Sequence, residues 1–257
     1  MRQSKELKVA IEAVKAAGRV IMSHFKHVHY VRLKSPAQGI VTEADLQAQK
    51  KIKKVILKSF PKAKFFAEED KVHRVRDDAW LIDPIDGTTN FYRGLPLFAV
   101  SVALVKNRKP VLGVIYNPVT KELFVAEKGK GAFLGGERLH VSKIGDPRQA
   151  MFDIPISARY GLRQKHFGMF KKLIPKIGNV RILGAATLRF TEIASGHMDA
   201  YIEFGIHAWD WAAGAVIVQE AGGKVTNFGG KTFDIFNDRE IFASNGKLHR
   251  QVIEAIK

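Results

Sequence analysis

The sequence predicts a mixed α/β fold, in which two helices precede a mostly antiparallel sheet and a region of alternating strands and helices follows. Apolar residues recur at helical spacing in two segments before residue 61. Between residues 64 and 129, short apolar runs are separated by Asn, Pro and Gly, which is typical of strands and turns. After residue 149, strand-like and helix-like patterns alternate.

The two N-terminal helices have recognisable starts in the sequence. Ser4 is placed to cap the first helix, whose apolar stripe is formed by Leu7, Ile11, Val14, Ile21 and Phe25. The second helix is expected to begin at Thr42, because Asp45 follows at the spacing of a capping box, and to end before Pro61.

The predicted strands and later helices are bounded by turn residues. The strand-like runs of the first part are KFFAEED, AWLIDP, LFAVSVALV, PVLGVIYNP and ELFVAEKG. After DPRQ (146–149), MFDIPI and MDAYIEF are expected to be strands, and AATLRFTEIAS and DWAAGAVIVQEAGG to be helices, the last closed by glycine. We therefore place a boundary near residue 146, between an N-terminal α+β half, 1–146, and a C-terminal α/β half, 147–257.

Cysteine is absent from the 257 residues, which excludes disulfides, thiolate metal sites and cysteine nucleophiles. This composition is compatible with a reducing cytoplasm, where we expect the protein to be located. No apolar run approaches the ~18 residues of a membrane span, and the N-terminus lacks the continuous apolar segment of a secretory signal. We therefore expect no membrane association.

The chain is strongly basic, with 42 Lys and Arg against 25 Asp and Glu and a formal net charge of +17. Such a surface suits non-specific binding of nucleic acid, but it also steers anionic substrates or keeps a protein in solution. The lysines of QKKIKKVILK and FKKLIPK are interleaved with apolar residues at helical spacing, which favours solvated helix faces. The charge therefore leaves nucleic acid open as a partner without predicting it.

The segment WLIDPIDGTTNF (80–91) places two acidic residues at the end of an apolar run. A buried strand is expected here, and Pro84 is expected to end its pairing because proline cannot donate a hydrogen bond. Asp83 and Asp86 then lie at the carboxyl end of the strand, where α/β folds commonly place ligand sites. Because two adjacent carboxylates repel each other unless a cation joins them, the segment indicates a cation site.

The neighbouring residues suit a phosphate and a metal together. Gly87 lets the backbone approach a ligand, and Thr88 is expected to begin a short helix whose free N–H groups favour a phosphoryl group. Glu68 in AEED and Asp210 in GIHAWDWAAG also stand at predicted element ends, where singly they would be a solvated charge and a helix N-cap. Together these acids suit a two-metal hydrolytic site for Mg²⁺, which prefers oxygen ligands.

Taken together, EED, WLIDPIDGTTNF and GIHAWDWAAGAVIVQEAGG resemble the inositol monophosphatase family, the lithium-sensitive, Mg²⁺-dependent phosphomonoesterases. The resemblance runs from about Lys34 to the C-terminus and includes LKSPAQGIVTEAD, GKGAFLGG and GHMDAYIEFGIHAWD. It implies a layered αβαβα fold of the inositol monophosphatase and fructose-1,6-bisphosphatase type, and a homodimer. It also implies hydrolysis of a small phosphomonoester, inositol-1-phosphate above others, through attack by metal-activated water.

The resemblance assigns metal ligands residue by residue, for roughly two to three Mg²⁺ ions in each site. Glu68, Asp83 and the backbone carbonyl of Ile85 would hold the first ion. Asp83, Asp86 and Asp210 would hold the second ion, and Glu68 would also help to hold a third, weaker one.

A catalytic group follows from the same resemblance. Thr88, hydrogen-bonded to Asp45, would orient or deprotonate the attacking water together with Glu68. Asp86 would belong to this catalytic group as well as to the metal site.

The resemblance also implies contacts to both ends of the substrate. The N–H groups of Gly87 and Thr88 would bind the phosphate, and Lys34 would lie near it on a mobile loop. The alcohol half of the substrate would face Asp86, Gly184, Ala185, Ala186, Glu203 and Asp210.

The sequence leaves open two alternatives to the hydrolysis of inositol-1-phosphate, a different substrate and a second role. Ala185 stands where the family commonly has Thr or Ser, so a hydrogen bond to the substrate is lost and the identity of the alcohol is not fixed. Fructose-1,6-bisphosphatase activity, alone or beside the first activity, competes because some prokaryotic relatives hydrolyse both substrates. A second role as a nucleic-acid-associated or transcription-associated factor is the other alternative, and it depends on the +17 charge.

Overall fold

Five stacked layers of helix and sheet, in the order αβαβα, form the part of the chain that the structure describes. The structure is a computed structural model and describes residues 3–27, 31–35, 39–72, 77–156 and 160–256. The layered fold class expected from the sequence is confirmed.

The helices and strands are numbered here in chain order. The α-helices within the described ranges are α1 (Lys5–His24), α2 (Glu43–Ser59), α3 (Thr88–Tyr92), α4 (Tyr160–Leu173), α5 (Ala186–Ala194), α6 (Ala208–Glu220) and α7 (His249–Ile256). The strands are β1 (Val31–Ser35), β2 (Gly39–Thr42), β3 (Phe65–Ala67), β4 (Ala79–Asp86), β5 (Ala99–Lys106), β6 (Lys109–Asn117), β7 (Glu122–Glu127), β8 (Gly131–Leu134), β9 (Glu137–Arg138), β10 (Met151–Asp153), β11 (Asn179–Arg181), β12 (Ala200–Phe204), β13 (Lys224–Thr226) and β14 (Glu240–Ser244).

Local sequence signals determine where the first two helices begin. The Ser4 hydroxyl accepts a hydrogen bond from the Leu7 N–H at 3.0 Å, which satisfies one of the free donors at the start of α1. The Thr42 N–H donates to Asp45 Oδ2 at 2.7 Å at the start of α2, as expected of a capping box. Helix α2 ends at Ser59, before Pro61, so both predicted helices are confirmed.

The first large sheet has the strand order β3-β4-β5-β6-β7-β8-β9 in the described residues. Only the β3–β4 pair among these is parallel, so the sheet is mostly antiparallel, as the sequence predicts. The prediction that Pro84 ends the pairing of β4 is wrong. The register shifts between Asp83 and Asp86, and Asp86 then pairs with Ala99, because a bulge accommodates the proline that cannot donate a hydrogen bond.

The second large sheet has the order β11-β10-β12-β14-β13 within the described part of the chain. Strand β10 is parallel to both of its neighbours, whereas β14 is antiparallel to β12 and β13. The last strand of the first large sheet ends at Arg138, and the first strand of the second large sheet begins at Met151. The boundary near residue 146 between two domains stays a prediction.

Side-chain alternation along the strands builds the layers between helices and sheets. Trp80 and Ile82 of β4 pack with α1 and α2, whereas Leu81 faces the opposite side and packs with α5 and α6. Helix α6 is buried along almost its whole length between the two sheets. It approaches β6 so closely that a Cβ on Gly113 would lie 2.3 Å from the Ala213 carbonyl oxygen. The outer layer of α4 and α7 covers the far face of the second sheet.

Among the helices that the structure describes, none is both long enough and apolar enough to span a membrane.

Candidate active site

The end of strand β4 turns sharply into helix α3 through a glycine. Gly87 has a φ of +89°, and a Cβ there would lie 2.8 Å from the Leu97 carbonyl oxygen. Any other residue would be strained in this position, so the glycine fixes the path of the backbone between Asp86 and Thr88. Thr88 is the first residue of α3, as predicted.

Thr88 and Asp45 bring the starts of α3 and α2 together. Thr88 Oγ1 lies 3.2 Å from Asp45 Oδ1 and 2.9 Å from the Ile85 carbonyl oxygen, so its proton has two acceptors. Asp45 is fully buried, and its Oδ2 accepts hydrogen bonds from the Thr42 N–H and hydroxyl at 2.7 and 2.5 Å. The capping box of α2 therefore holds the carboxylate that contacts Thr88.

Asp86 connects the end of β4 to the start of helix α5. Its Oδ1 accepts from the Ala186 N–H at 3.1 Å, and its Oδ2 accepts from the Thr187 N–H and hydroxyl at 2.6 and 2.5 Å. Asp86 thus caps a helix that lies about a hundred positions later in the chain, and this contact brings Ala186 next to the acids of β4.

Asp83 and Asp210 complete the group of acids that we call the carboxylate cluster, together with Asp86. Asp83 is buried, and its Oδ1 accepts from the Ile85 N–H at 3.1 Å. Asp210 lies in the first turn of α6, and its Oδ2 accepts from the His207 N–H at 2.7 Å. His207 is the N-cap of α6, and Asp210 is the N3 residue of its capping box, so the start of the helix fixes this carboxylate as it fixes Asp45 in α2.

Burial and mutual repulsion raise the pKa values of the carboxylate cluster. Burial, followed by the charges of Glu68, Asp86 and Asp210, holds the pKa of Asp83 well above its ordinary value. Burial and the charges of Glu68 and Asp86 do the same to the pKa of Asp210. Burial also raises the pKa of Asp86, to about 6, although the hydrogen bonds from Thr187 and the charge of Arg189 oppose the rise.

Glu68 extends this acidic region from the neighbouring strand. Its N–H donates to the Ile82 carbonyl oxygen at 3.0 Å, which continues the β3–β4 pairing beyond Ala67. Its charge contributes to the raised pKa values of Asp83 and Asp210, so the side chain lies within electrostatic reach of both.

A cleft of about 980 Å³ opens at the carboxylate cluster. Glu68, Asp86 and Asp210 line it, and further predicted substrate contacts line it as well, namely Gly184, Ala186 and Glu203. The Ala185 side chain is buried beside Gly87, and its contact with a substrate stays a prediction. The backbone of Lys34 belongs to β1, but its side chain and residues 36–38 lie outside the part that the structure describes.

The donor set of this region fits a hard divalent cation. Three buried or half-buried aspartates and a glutamate supply oxygen atoms, and a cation would relieve the repulsion that raises their pKa values. No three His, Cys, Asp or Glu side chains in the described ranges are already grouped closely enough to hold an ion. Since Asp83, Asp86 and Asp210 each accept hydrogen bonds from the backbone, an ion would bind to their remaining lone pairs after the side chains move closer together.

Three residues of the site were not predicted from the sequence. Thr187 contacts Asp86 directly, and Arg189 and Tyr201 contact Glu203 on the cleft wall. The available signal was an arginine between Leu188 and Phe190 in a predicted helix, because a charge that is buried among apolar residues requires partners. The pattern does not say which acids those partners are.

Comparison with known proteins agrees with this geometry. The sequence model of the inositol monophosphatase family matches residues 2–257. A Thermotoga maritima protein named fructose-1,6-bisphosphatase/inositol-1-monophosphatase is 38% identical over 251 residues, covering 97% of this chain and 95% of the relative. An inositol-1-monophosphatase of Caulobacter vibrioides is 36% identical over 263 residues, covering 96% of this chain and 99% of the relative. The solved structure of the extragenic suppressor protein suhB from Bartonella henselae superposes with a TM-score of 0.91 at 35% identity, covering 99% of each chain.

Proposed function

Because the chain belongs to the inositol monophosphatase family of phosphoric monoester hydrolases, we propose that it hydrolyses inositol-1-phosphate in a Mg²⁺-dependent reaction. Members of this family are generally metal-dependent, act on small phosphorylated substrates and are commonly dimers. The observation that carries the proposal is the carboxylate cluster of Asp83, Asp86 and Asp210 at one end of a polar cleft, where burial raises the pKa values of all three acids.

The proposed metal ligands are Glu68, Asp83, Asp86, Asp210 and the carbonyl oxygen of Ile85, for roughly two to three ions. When bound, Mg²⁺ would supply positive charge against the phosphoryl oxygens and lower the cost of the charge that develops during the transfer. The ions would also neutralise the cluster, which has no ion pair with a Lys, Arg or His side chain among the described residues.

Thr88 and Asp45 are proposed to orient the attacking water with Glu68. Asp45 is fixed through Thr42, and Thr88 Oγ1 lies 3.2 Å from it, so the hydroxyl is held at a defined point near the end of β4. A positioned hydroxyl of this kind contributes through orientation of the water more than through its own acidity. The N–H groups of Gly87 and Thr88, at the start of α3, are the proposed phosphate donors.

The wall of the cleft beyond the carboxylate cluster is proposed to bind the alcohol half of the substrate. Gly184, Ala186 and Glu203 line this wall, and Ala185 is included in the proposal from the family resemblance. Since Ala185 offers no hydroxyl, the hydrogen bonds to the alcohol would come from Glu203, Asp86 and Asp210.

Fructose-1,6-bisphosphate is the second candidate substrate. The observation that favours it is the name of the Thermotoga maritima relative, which includes both activities, at 38% identity. A dual activity would use the same carboxylate cluster and differ in what the cleft wall binds.

Further properties belong to the same proposal. They are sensitivity to Li⁺, through occupation of the position formed by Asp83, Asp86 and Asp210, and assembly as a homodimer. The cytoplasmic location and a second role with nucleic acid depend on the absence of cysteine and the +17 charge alone, and they stay predictions.

The test is phosphate release from inositol-1-phosphate, fructose-1,6-bisphosphate, glycerol-2-phosphate and adenosine 3′,5′-bisphosphate, each with Mg²⁺ and with a chelator. The proposal expects the highest kcat/KM for inositol-1-phosphate and activity only with the metal. A higher kcat/KM for fructose-1,6-bisphosphate would favour the second candidate. Release that is equally fast with the chelator, or absent from every substrate, would contradict the proposed function.

A further inference from the structure

Arg189 is a buried cation on the wall of the cleft. It lies in helix α5, and its side chain is only 4% exposed. It contacts three residues in strands β10 and β12 of the second large sheet. Its Nε lies 2.8 Å from Asp153 Oδ1, and its Nη1 donates to Glu203 Oε2 at 2.8 Å and to the Tyr201 hydroxyl at 3.0 Å. We call Arg189, Asp153, Tyr201 and Glu203 the Arg189 network.

Asp153 forms a buried ion pair with the guanidinium of Arg189, although this contact does not have the geometry of a hydrogen bond. Its Oδ1 pairs with Arg189, while its Oδ2 accepts from the Leu183 N–H at 3.0 Å, just before helix α5. Asp153 is fully buried, so neither contact is exchanged with water. The planar guanidinium also lies over the Tyr201 ring, with its central carbon 4.9 Å from the ring centroid. The ion pair, the ring contact and the hydrogen bonds of Nη1 together restrict its position.

Glu203 receives both of its donors on the same oxygen. Arg189 Nη1 and the Tyr201 hydroxyl each donate to Oε2. The Glu203 side chain is 18% exposed and lines the cleft, and Oε1 accepts no hydrogen bond from the residues that the structure describes. The carboxylate is thus held by one oxygen, and the other is available as an acceptor in the cleft.

The charge of the network favours a neutral hydroxyl at this wall. One arginine balances one of the two carboxylates, so the network carries a net negative charge at neutral pH. An alcohol hydroxyl could donate a charge-assisted hydrogen bond to Glu203 Oε1.

We propose that Arg189 is a positioning residue that, together with Tyr201, holds Glu203 as an oriented acceptor for a hydroxyl group of the substrate. The inference rests on the proposed function, since it assigns the part of the cleft that binds the alcohol. A purely structural role, in which Arg189 only connects α5 to β10 and β12, predicts equal losses for every substrate.

The experiment compares two monophosphates that differ in the alcohol. Inositol-1-phosphate offers several hydroxyls, and p-nitrophenyl phosphate offers none. The ratio of their kcat/KM values is measured for the wild type, Tyr201→Phe, Arg189→Met and Arg189→Lys, with Arg148→Met as the matched control. Arg148 pairs with Asp146 at the surface, with its side chain 78% exposed.

Tyr201→Phe and Arg189→Met should each lower the ratio about tenfold, the effect of losing one hydrogen bond to a charged group. The loss should appear in KM for inositol-1-phosphate, with kcat changed less than about threefold, because the bond is to the part of the substrate that does not react. Arg189→Lys, which keeps the charge, should recover part of the ratio, and Arg148→Met should leave it at the wild-type value.

An unchanged ratio in Tyr201→Phe would overturn the proposal. Tyr201→Phe keeps the aromatic ring in the core, so its kcat/KM ratio tests the proposal even if Arg189→Met does not fold. A wild type that hydrolyses p-nitrophenyl phosphate but not inositol-1-phosphate would contradict the proposed function instead. The same ratio measured with glycerol-2-phosphate would then still decide the role of Arg189.

Discussion

The carboxylate cluster and the Arg189 network are two neighbouring buried groups of acids, and they differ in whether a cation belongs to the group. In the network, Asp153 and Glu203 share Arg189 as an internal cation. The cluster of Asp83, Asp86 and Asp210 forms no ion pair with a Lys, Arg or His side chain in the described residues. The network contains its own cation, whereas in the cluster the charge of Arg189 acts only on Asp86, and we propose that a cation from solution neutralises the rest.

The pKa values follow this difference. Burial raises the pKa of Asp153 to about 6, and the charge of Arg189 limits the rise. Asp83 is surrounded by other acids, and its pKa is raised well above the ordinary value by burial and by their charges. The two groups of acids therefore differ in whether a cation inside the fold opposes the effect of burial on their pKa values.

The largest expected effect is the loss of activity in Asp83→Asn. The substitution removes a charge from the centre of the carboxylate cluster, so turnover should fall at least a thousandfold, about 4 kcal/mol of barrier. The fold should persist, and the metal-free variant should unfold at the same or a higher temperature because repulsion is relieved. Turnover above roughly a tenth of the wild type, under 2 kcal/mol, would contradict a metal site at this cluster.

Removing the cation from the Arg189 network should make it resemble the carboxylate cluster. In Arg189→Met, Asp153 and Glu203 stay buried without their partner, so the free energy of unfolding should fall by about 3–4 kcal/mol at pH 7.5. Urea denaturation with Mg²⁺ present measures this change. The control Arg148→Met removes a pair that is exposed to solvent, so its effect on the free energy of unfolding should be much smaller. Similar costs for both variants would mean that the network does not depend on Arg189.

The fold and the carboxylate cluster were largely predictable because their signals are local. Ser4 and Thr42 cap helices within three or four residues of themselves, and Asp83 and Asp86 are placed by the strand that contains them. Asp210 was grouped with these acids because it also stands at the end of a predicted element, and the family resemblance then assigned it to the same metal site.

The Arg189 network and the bulge in β4 were not predictable because they depend on packing between distant segments. Which acids meet Arg189 is decided when α5 packs on β10 and β12, and nothing in the neighbouring sequence names Asp153. The pairing beyond Pro84 likewise depends on Ala99 of β5, whose position overrides the local preference of proline to end a strand.

Magnesium should stabilise the protein through the carboxylate cluster alone. At a free concentration about a hundredfold above its Kd, Mg²⁺ should raise the free energy of unfolding by about 2.7 kcal/mol. Thermal unfolding with the chelator and with Mg²⁺ measures the shift. Asp83→Asn should lose most of it, and Tyr201→Phe, in the Arg189 network, should keep it. An equal shift in Asp83→Asn would place the ion elsewhere.

The smallest expected effect is a pH dependence of the cost of Arg189→Met. The pKa of Asp153 is about 6 in the folded wild type, above the value of about 3.9 in an unfolded chain. Because the folded state binds the proton more tightly, this acid stabilises the fold at low pH, and that contribution is lost as the pH rises through about 6.

Without Arg189 the pKa of Asp153 should rise further, because the charge that now opposes burial is removed. Burial raises the pKa of Glu203 and the charge of Arg189 lowers it, so the pKa of Glu203 should rise as well when Arg189 is removed. The variant then loses more stability than the wild type between pH 5 and pH 7.5, and the cost of the substitution should be about 1.4 kcal/mol smaller at pH 5, the equivalent of one pKa unit. Urea titrations of both proteins at the two pH values measure this difference. If the cost of Arg189→Met is the same at both pH values, Asp153 and Glu203 stay ionised without their cation. The difference between the carboxylate cluster and the Arg189 network would then not arise from Arg189.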